Sequence, residues 1–511
     1  MKELKELVRI LSKTWVKRIE ILQNLKQGRG KTSRFLDVAR KIRIGDIYDD
    51  KTASEYLYDK PPGDAYYFFK HRLRKLLLNS LFHIDFRKTG YSDYAKAEFD
   101  CSMLRHQVYT LAAFDARNTA INIAEDMMKI AEKYELAEFM AYGASLLSRY
   151  FAMTGPKSLF VKYDTLYKEW SVREQMENNA RISLNRLNIE FVGSVVQRPE
   201  MAELAFAYAK EIEKDMAIYS SWKLQYHWYR LMGTGYYIKN EYEKSILIWK
   251  QLEEYLLANP LFCSNARLGI ATTEQMMNYL ETRDYNKGLI CAERCLGYFK
   301  PGDTNWFIFL EYFFLLCIQN QKYNHAISVY NMTVKNINLP AMPKRNREKW
   351  ILNHAWLHFV NLVLDIPLSK IEGDFNLYSF LNKFDFLNKD KEGFNASMLI
   401  VDICIRIHEG DKLKLMEKME SLKTYKKRYL KKDVDYRVQA FIQLLLICEE
   451  LDYQHPKIKN KSKILFSKLQ LAPLINTNNF EGLEVVPFDI VWPMVLQDIK
   501  RNKLTRSVVE S

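Results

Sequence analysis

Glycine and proline are scarce in this chain, with 18 and 13 copies among 511 residues, about half the usual share of each. These residues form most tight turns, so a chain with so few of them cannot contain many β-hairpins. Alternation of apolar and polar residues with a period of two is also rare. Apolar residues instead recur at spacings of three and four almost from end to end, which predicts amphipathic helices. The fold class that we expect is therefore all-α.

Cysteine is also infrequent, and its seven copies form an odd set. The positions are Cys101, Cys263, Cys291, Cys295, Cys317, Cys404 and Cys448. All of them lie in apolar segments with helical spacing, and such a set does not suggest a disulfide framework. We therefore expect buried free thiols in a protein of a reducing compartment.

No segment is apolar over the length of about 20 residues that a membrane-spanning helix needs. The most apolar run, residues 306–318, has 13 residues and includes Glu311. Residues 1–15 alternate charged side chains with Leu, Val and Ile, and they lack the apolar core and cleavage site of a signal peptide. These features predict a cytoplasmic protein that does not enter the membrane.

Motifs for catalysis and for metal or cofactor binding are incomplete. Residues 28–33 resemble the end of a phosphate-binding loop, but Leu25 stands where the motif needs glycine. Residues 354–358 space two histidines as in zinc proteases, but the glutamate after the first histidine is replaced by alanine. We expect no catalytic residue, metal or cofactor. An enzyme with a site assembled from distant residues is the least supported hypothesis, since it needs a deep pocket with titratable groups of shifted pKa.

Pairs of helices recur almost periodically between residues 226 and 334. In the first pair, aromatic and small residues alternate along both helices at Tyr229, Met232, Gly233, Tyr236, Tyr242, Ser245 and Trp249. Similar residues return at Tyr279, Tyr285, Gly288, Ala292, Phe313, Tyr323, Ala326 and Tyr330. Small residues let two helices approach closely, and large rings fill the space beside them. The turn tyrosines Tyr242, Tyr285 and Tyr323 are 43 and 38 residues apart, so the repeat is not a strict 34 residues.

This pattern resembles the tetratricopeptide repeat, with a weaker copy at residues 116–151 that turns at 134–136, and the chain is similar to bacterial helical-repeat proteins. The resemblance implies an α-solenoid of stacked antiparallel helix hairpins that binds a protein or peptide in its groove. It implies that the following residues pack the repeats or line the groove: Tyr229, Gly233, Tyr236, Tyr242, Trp249, Tyr279, Tyr285, Tyr323 and Tyr330.

We expect three regions: a helical N-terminal region at 1–95, the repeats at 96–340, and further helices with a cap at 341–511. In the third region the spacing predicts helices at 350–364, 395–408, 413–430 and 436–451. Residues 483–488 have a β-like or extended pattern and lead into a last helix from Asp489. We expect this segment to cover the apolar end of the array, as repeat arrays require.

The N-terminal region predicts three helices that resemble a helix-turn-helix. The first helix spans residues 31–44, and the second spans residues 52–58 and begins with a capping box at Thr52. Asp64 caps the third helix. On the third helix one face is apolar, with Phe69, Leu73, Leu76, Leu77 and Ser80. Four basic residues that could contact phosphates project elsewhere: Lys70, Arg72, Arg74 and Lys75. The alternative interpretation is a solvated basic face on the first hairpin of an array.

A second basic cluster lies near the C-terminal end, at Lys423, Lys426, Lys427, Arg428, Lys431 and Lys432. Tyr425 and Tyr429 lie among these cations, so the segment could stack bases and neutralise phosphates. The alternative is a charged helix whose tyrosines lie on a neighbouring helix.

The formal net charge of +14 favours acidic partners without identifying one. Our leading functional hypothesis is a non-catalytic scaffold that binds a protein or peptide. The alternative is a nucleic-acid-binding regulator whose N-terminal helices contact DNA or RNA. An aromatic-rich surface could equally serve a homo-oligomer.

Overall fold

The computed structural model describes residues 1–13, 34–84, 86, 90–193, 198–364, 369–382, 394–429, 436–472, 474 and 484–502. Every regular element among these residues is a helix, which confirms the predicted all-α class. None of the described helices is long and apolar enough to cross a membrane. Six of the seven thiols are buried, and that of Cys263 is half-buried; all are free, as expected.

The α-helices follow one another with short connections. Their bounds are α1 Lys2–Lys13, α2 Arg34–Ile44, α3 Asp50–Tyr58, α4 Asp64–Ser80, α5 Asp93–Ala113, α6 Arg117–Lys133, α7 Ala137–Thr154, α8 Lys157–Gly193, α9 Arg198–Ile218, α10 Trp222–Ile238, α11 Tyr242–Ala258, α12 Asn265–Glu281, α13 Tyr285–Tyr298, α14 Thr304–Gln319, α15 Tyr323–Val334, α16 Lys344–Val363, α17 Leu377–Asn382, α18 Phe394–Glu409, α19 Lys412–Tyr429, α20 Tyr436–Glu450, α21 His455–Leu471 and α22 Phe488–Asn502. Short 3-10 helices lie at Leu81–His83 and Leu339–Ala341.

The chain divides into two compact units, residues 1–176 and 177–511, and the boundary falls within α8. In the first unit, α1 to α4 enclose a hydrophobic core of their own. In the second unit, a larger core is continuous from α11 to α22. The helices that we predicted after residue 341 are confirmed, with ends that differ by a few residues and with α17 and α21 in addition.

Helix α3 corrects the predicted capping box. The Asp49 carboxylate accepts a hydrogen bond from the Thr52 backbone N–H at 2.8 Å, and the Asp49 N–H donates to the Thr52 hydroxyl at 3.2 Å. Thr52 is therefore the third helical residue, and Asp49 is the cap. The prediction for α4 was wrong in the same way, because Gly63 occupies the cap position and Asp64 is the first helical residue.

Five helix pairs are joined by the same three-residue turn. Its central residue has a left-handed backbone with φ between 50° and 62°, at Asp115, Glu135, Asn240, Arg283 and Gln321. The N–H of the third turn residue donates to the carbonyl five positions earlier at 2.8–2.9 Å, which ends the first helix of each pair. The turn expected at 134–136 is among them. This repeated turn explains how a chain with little glycine reverses direction so often.

Helix α8 continues for 37 residues, and it contains no proline and no glycine before Gly193. The β-like segment that we predicted at 483–488 was wrong. Residues 484–487 form a turn and bends, not a strand. Val485 and Val486 are buried there, so their apolar character reflects burial against helices and not a sheet.

A buried arginine holds this C-terminal turn in place. The Arg437 guanidinium donates to the Glu484 carboxylate at 2.9 Å and to the carbonyls of Leu469 and Ala472 at 2.8 Å each. It also contacts Asp489. Arg437 is buried, but its positive charge is compensated because two carboxylates and two carbonyls contact the guanidinium. The network joins α20, the end of α21 and the start of α22.

Candidate functional site

The aromatic and small residues that we expected to pack the repeats or line a groove lie between helices. Gly233, Trp249, Tyr279, Tyr323 and Tyr330 are buried, and the other four are half-buried. A Cβ at Gly233 would lie 2.6 Å from the Trp249 ring, so only glycine fits there. The Ser245 hydroxyl donates to the Gly233 carbonyl at 2.9 Å and ties α11 to α10.

The remaining candidates also contact other rings. Tyr236 lies edge-on to Phe206, and Tyr229 lies 6.0 Å from Tyr255 between ring centroids. Three more tyrosines contact neighbouring rings: Tyr242 on Tyr237, Tyr285 on His325, and Tyr330 on Trp350 and His354. These side chains hold helices together, so ligand-facing groups must be sought on another face.

That other face carries polar side chains on three helices of the second unit. Lys223, His227 and Arg230 lie on α10 at positions i, i+4 and i+7. Glu274, Asn278 and Glu281 have the same spacing on α12, so each set lies on one face of its helix. We call the following residues the polar layer: Lys223, His227 and Arg230 of α10, Glu274, Asn278 and Glu281 of α12, and Tyr312 of α14. Asn278 is fully buried and the other six are half-buried.

Contacts across the layer connect the helices. The Tyr237 hydroxyl of α10 donates to the Glu281 carboxylate of α12 at 3.0 Å. Burial raises the pKa of Glu274 to about 7, although the nearby Arg230 charge opposes this shift. Burial and the charges of Glu311, Glu274 and Glu281 raise the pKa of Tyr312 well above its ordinary value. The carboxylates of α12 therefore lie close to both neighbouring helices.

His227 lies at the cationic end of the layer. Burial lowers the pKa of its imidazole to about 3, and the positive charges of Arg230, Lys223 and Arg181 contribute. The imidazole is therefore neutral at physiological pH, with one nitrogen able to donate and the other able to accept a hydrogen bond.

Three polar atoms in the middle of the layer have no hydrogen-bond partner in the described part of the chain. They are Nδ1 of His227, Nε of Arg230 and Oδ1 of Asn278, and all three are buried from solvent. The amide nitrogen of Asn278 does have a partner, since it donates to the Glu274 carbonyl at 2.8 Å. An unpaired buried polar group costs about 1–3 kcal/mol, and α10 and α12 carry three of them within the layer.

Charged residues at the two ends of the layer are paired within the protein instead. Lys223 forms an ion pair with Glu177 of α8 at 2.9 Å. At the other end, the Glu311 carboxylate accepts hydrogen bonds from Asn346 and Lys349 of α16 at 2.9 Å each. Among the layer residues, the unpartnered atoms belong to His227, Arg230 and Asn278.

Of the four basic residues predicted on α4, two are neutralised. Lys70 pairs with Asp50 at 2.7 Å and Arg74 pairs with Glu3 at 2.8 Å. Arg72 is exposed and lies 5.7 Å from the ring centroids of Phe35 and Phe68. Lys75 is exposed as well, and it forms no ion pair with the residues that the structure describes.

The second basic cluster is described only in part. Lys426 donates to the Gln443 amide oxygen at 2.6 Å, Lys423 pairs with Glu449 at 3.0 Å, and Tyr425 is buried. Lys427 is exposed. The side chain of Arg428, together with Lys431 and Lys432, lies outside the described residues. The described part fits the alternative of a charged helix that packs one tyrosine on its neighbour.

The incomplete motifs have ordinary surroundings where they are described. His354 packs beside Tyr330, and His358 stacks on Phe375 at 4.4 Å between ring centroids, so both are half-buried packing residues. Among the described residues no three His, Cys, Asp or Glu side chains are placed to hold a metal ion. The segment at 28–33 lies outside the description.

Sequence reasoning missed the polar layer. A usable signal was present, because Glu274, Asn278 and Glu281 share one helical spacing within an otherwise apolar segment, as do the polar residues of α10. No family model, curated protein or solved structure matches this chain.

Proposed function

We propose that the protein is a non-catalytic interaction scaffold of tetratricopeptide-like helical repeats, and that the polar layer binds an extended segment of a protein or peptide. The observation that carries this proposal is the row of unpartnered buried polar atoms on His227, Arg230 and Asn278. Donors and acceptors that the fold leaves unpaired at considerable cost are the groups that a ligand can satisfy.

The repeated architecture supports the solenoid in this proposal. The same turn ends the first helix of successive pairs, and a glycine meets a large side chain at Gly233, at Gly269 against Phe299, and at Gly288 against Leu316. Units that repeat in this way stack with their first helices side by side. The polar faces of α10, α12 and α14 would then form one surface.

The chemistry of the layer suits a peptide backbone. An extended peptide presents N–H and C=O groups alternately, and its C=O groups can accept hydrogen bonds from the guanidinium of the half-buried Arg230. A neutral His227 can serve either group. Seven free thiols further support a location in the cytoplasm, as we proposed from the sequence.

A peptide selection tests this proposal. Peptides are selected from a random library on the full chain, and the affinity of each synthetic peptide is measured by calorimetry. We expect Arg230→Met and His227→Leu each to weaken binding by about tenfold or more, since a hydrogen bond to a charged or buried group contributes about 1.5–3 kcal/mol. Arg186→Met is the matched control, because Arg186 is an exposed arginine of the same unit.

Two results would contradict the proposal. Selected peptides that bind the two layer variants as tightly as the unmodified chain would place the binding surface elsewhere. A selection that returns no peptide with an affinity for the folded chain would remove the support for a peptide-binding function. In both cases circular dichroism must show that the variants remain folded.

A further inference from the structure

A second surface, independent of the polar layer, lies on α4 in the first unit. Its residues are Phe68, His71, Arg72, Lys75 and Asn79, at positions i, i+3, i+4, i+7 and i+11 of one helix face. We call them the α4 face. All five side chains are exposed, and α4 carries no acidic residue after Asp64.

The α4 face differs from the adjacent side of the same helix. Lys70 and Arg74 project toward α3 and α1, where Asp50 and Glu3 neutralise them. On the α4 face, neither Arg72 nor Lys75 forms an ion pair with any described residue. The positive charge of the helix is therefore concentrated on one exposed strip.

An aromatic ring extends this strip. Phe68 is 64% exposed and its neighbour Tyr67 is 53% exposed, although both rings are costly to hydrate. The Arg72 guanidinium lies over the rings of Phe68 and Phe35 at 5.7 Å, which holds its charge beside an open aromatic surface. Rings and cations interleaved in this way stack bases and contact phosphates in nucleic-acid-binding proteins.

We propose that the α4 face binds nucleic acid. Arg72 and Lys75 contact phosphates, Phe68 stacks on a base, and the His71 ring and Asn79 amide reach polar base edges. A lipid surface fits less well, because a membrane-binding helix inserts a wide apolar face. The wide apolar face of α4 is already occupied by the core, through Tyr66, Phe69, Leu73 and Leu77.

The packing of α4 also makes the proposal testable by mutation. The opposite face of α4 is anchored in the core that α1 to α4 share. Substitutions on the exposed strip therefore remove surface groups without opening a cavity. The strip remains attached to a rigid helix in every variant.

The test is fluorescence anisotropy of the full chain with labelled oligonucleotides of about 20 nucleotides, single-stranded DNA, single-stranded RNA and duplex DNA. We expect an affinity that falls steeply as salt is raised from about 50 to 200 mM. The double variant Arg72→Glu with Lys75→Glu should lose at least about tenfold in affinity for the preferred probe. Phe68→Ala should weaken single strands more than the duplex, since only unpaired bases can stack on the ring.

The matched control is Lys5→Glu with Arg9→Glu. Both residues are exposed on α1 of the same unit, and the pair changes the net charge by the same amount. We expect this control to lose less than about twofold in affinity, because its charges act on the oligonucleotide only from a distance. Equal losses in the two double variants would overturn the proposal, since binding would depend on net charge and not on the α4 face.

Two other outcomes would also overturn it. The first is the absence of binding to every oligonucleotide at about 50 mM salt. The second is binding of the chain to phosphatidylcholine vesicles that contain phosphatidylserine, without binding to any oligonucleotide, if the double variant of Arg72 and Lys75 weakens this vesicle binding. Neither outcome bears on peptide binding at the polar layer, which different residues of another unit carry.

Discussion

The two faces of α10 and α12 use the same helices for opposite purposes. On one face, which we call the packing face, Gly233 and Gly269 approach Trp249 and Phe299 so closely that no Cβ fits between them. On the other, the polar layer keeps Arg230 and Asn278 atoms buried without partners. The packing face therefore stabilises the hairpins, and the unpaired atoms of the polar layer reduce their stability.

This comparison has a physical basis in how each kind of group responds to burial. Apolar side chains gain free energy on leaving water whatever their orientation, so Phe299 needs only a cavity of the right shape. A polar group gains only if a partner is placed at the correct distance and angle. Unpaired polar groups on a surface thus lower the stability of a protein without a ligand, and they favour ligands that supply matching hydrogen-bond partners.

The largest effect should come from removing the central ring of the packing face. Trp249 is 1% exposed, and Trp249→Ala would leave a cavity that the neighbouring helices cannot fill. We expect a loss of about 3–5 kcal/mol in the free energy of unfolding, measured by urea denaturation with far-ultraviolet circular dichroism. Leu247→Ala on the same helix is the control. Leu247 is 56% exposed, and its loss should change stability by less than about 0.5 kcal/mol.

The next effect tests the close approach itself. Gly233→Ala should destabilise by about 1–3 kcal/mol, because the added methyl group overlaps the Trp249 ring. Gly297→Ala on α13 adds a methyl group in open space and should be neutral, or stabilising by about 0.5–1 kcal/mol, for the same chemical change. Equal effects of the two substitutions in urea denaturation would show that helix propensity, and not packing, decides both.

The polar layer should show itself in the pH dependence of stability. The pKa of Glu274 is about 7 in the folded chain against an ordinary 4.5, so the folded state binds this proton more tightly than the unfolded state. The stabilisation is complete below about pH 4.5 and is lost as the pH rises through 7. Glu274→Gln should remove this dependence and be more stable than the unmodified chain above pH 7, by on the order of 1 kcal/mol.

The measurement for Glu274 is the difference in urea midpoint between the two chains from pH 5 to pH 8. Glu311→Gln is a useful comparison, because its carboxylate is paired with Lys349 at 2.9 Å. Its removal should destabilise at neutral pH. A Glu274→Gln variant whose midpoint follows the same pH curve as the unmodified chain would contradict our account of the layer.

The smallest effect concerns the shared turn that joins the helix pairs. Gln321 has φ of 57°, a backbone conformation that disfavours any side chain with a Cβ. Gln321→Gly should raise the free energy of unfolding by up to about 1 kcal/mol, and Gln321→Ala, which keeps the Cβ, should not. A loss of stability in the glycine variant would mean that the Gln321 side chain stabilises the turn.

Much of the local structure was predictable because it depends on neighbours in sequence. The helical spacing predicted α18 to α20 within a few residues, and the aromatic turn signals predicted the pairs around Asn240 and Arg283. Errors came where two local signals compete: Thr52 and Asp64 are both good caps, but Asp49 and Gly63 precede them and take that position. The β-like pattern at Val485 and Val486 was a buried turn.

The candidate sites were harder to predict. The tyrosines that stand out in the sequence pack helices together, as Tyr279 and Tyr330 do, because large rings are the residues that fill such spaces. The polar layer is assembled from less conspicuous residues. On α4 the sequence indicated a basic helix, but it could not show that Lys70 and Arg74 meet carboxylates that are 20 and 71 residues away.

The sequence by itself determined that this protein is all-α, that its helices form pairs, and, within a few residues, where several of them begin and end. These properties follow from spacing and from hydrogen bonds between residues a few positions apart. Only the tertiary structure decided which charges are neutralised and which polar atoms remain unpartnered. That distinction depends on groups far apart in the chain, such as Tyr237 with Glu281 or Arg74 with Glu3, whose meeting is a property of the packed helices.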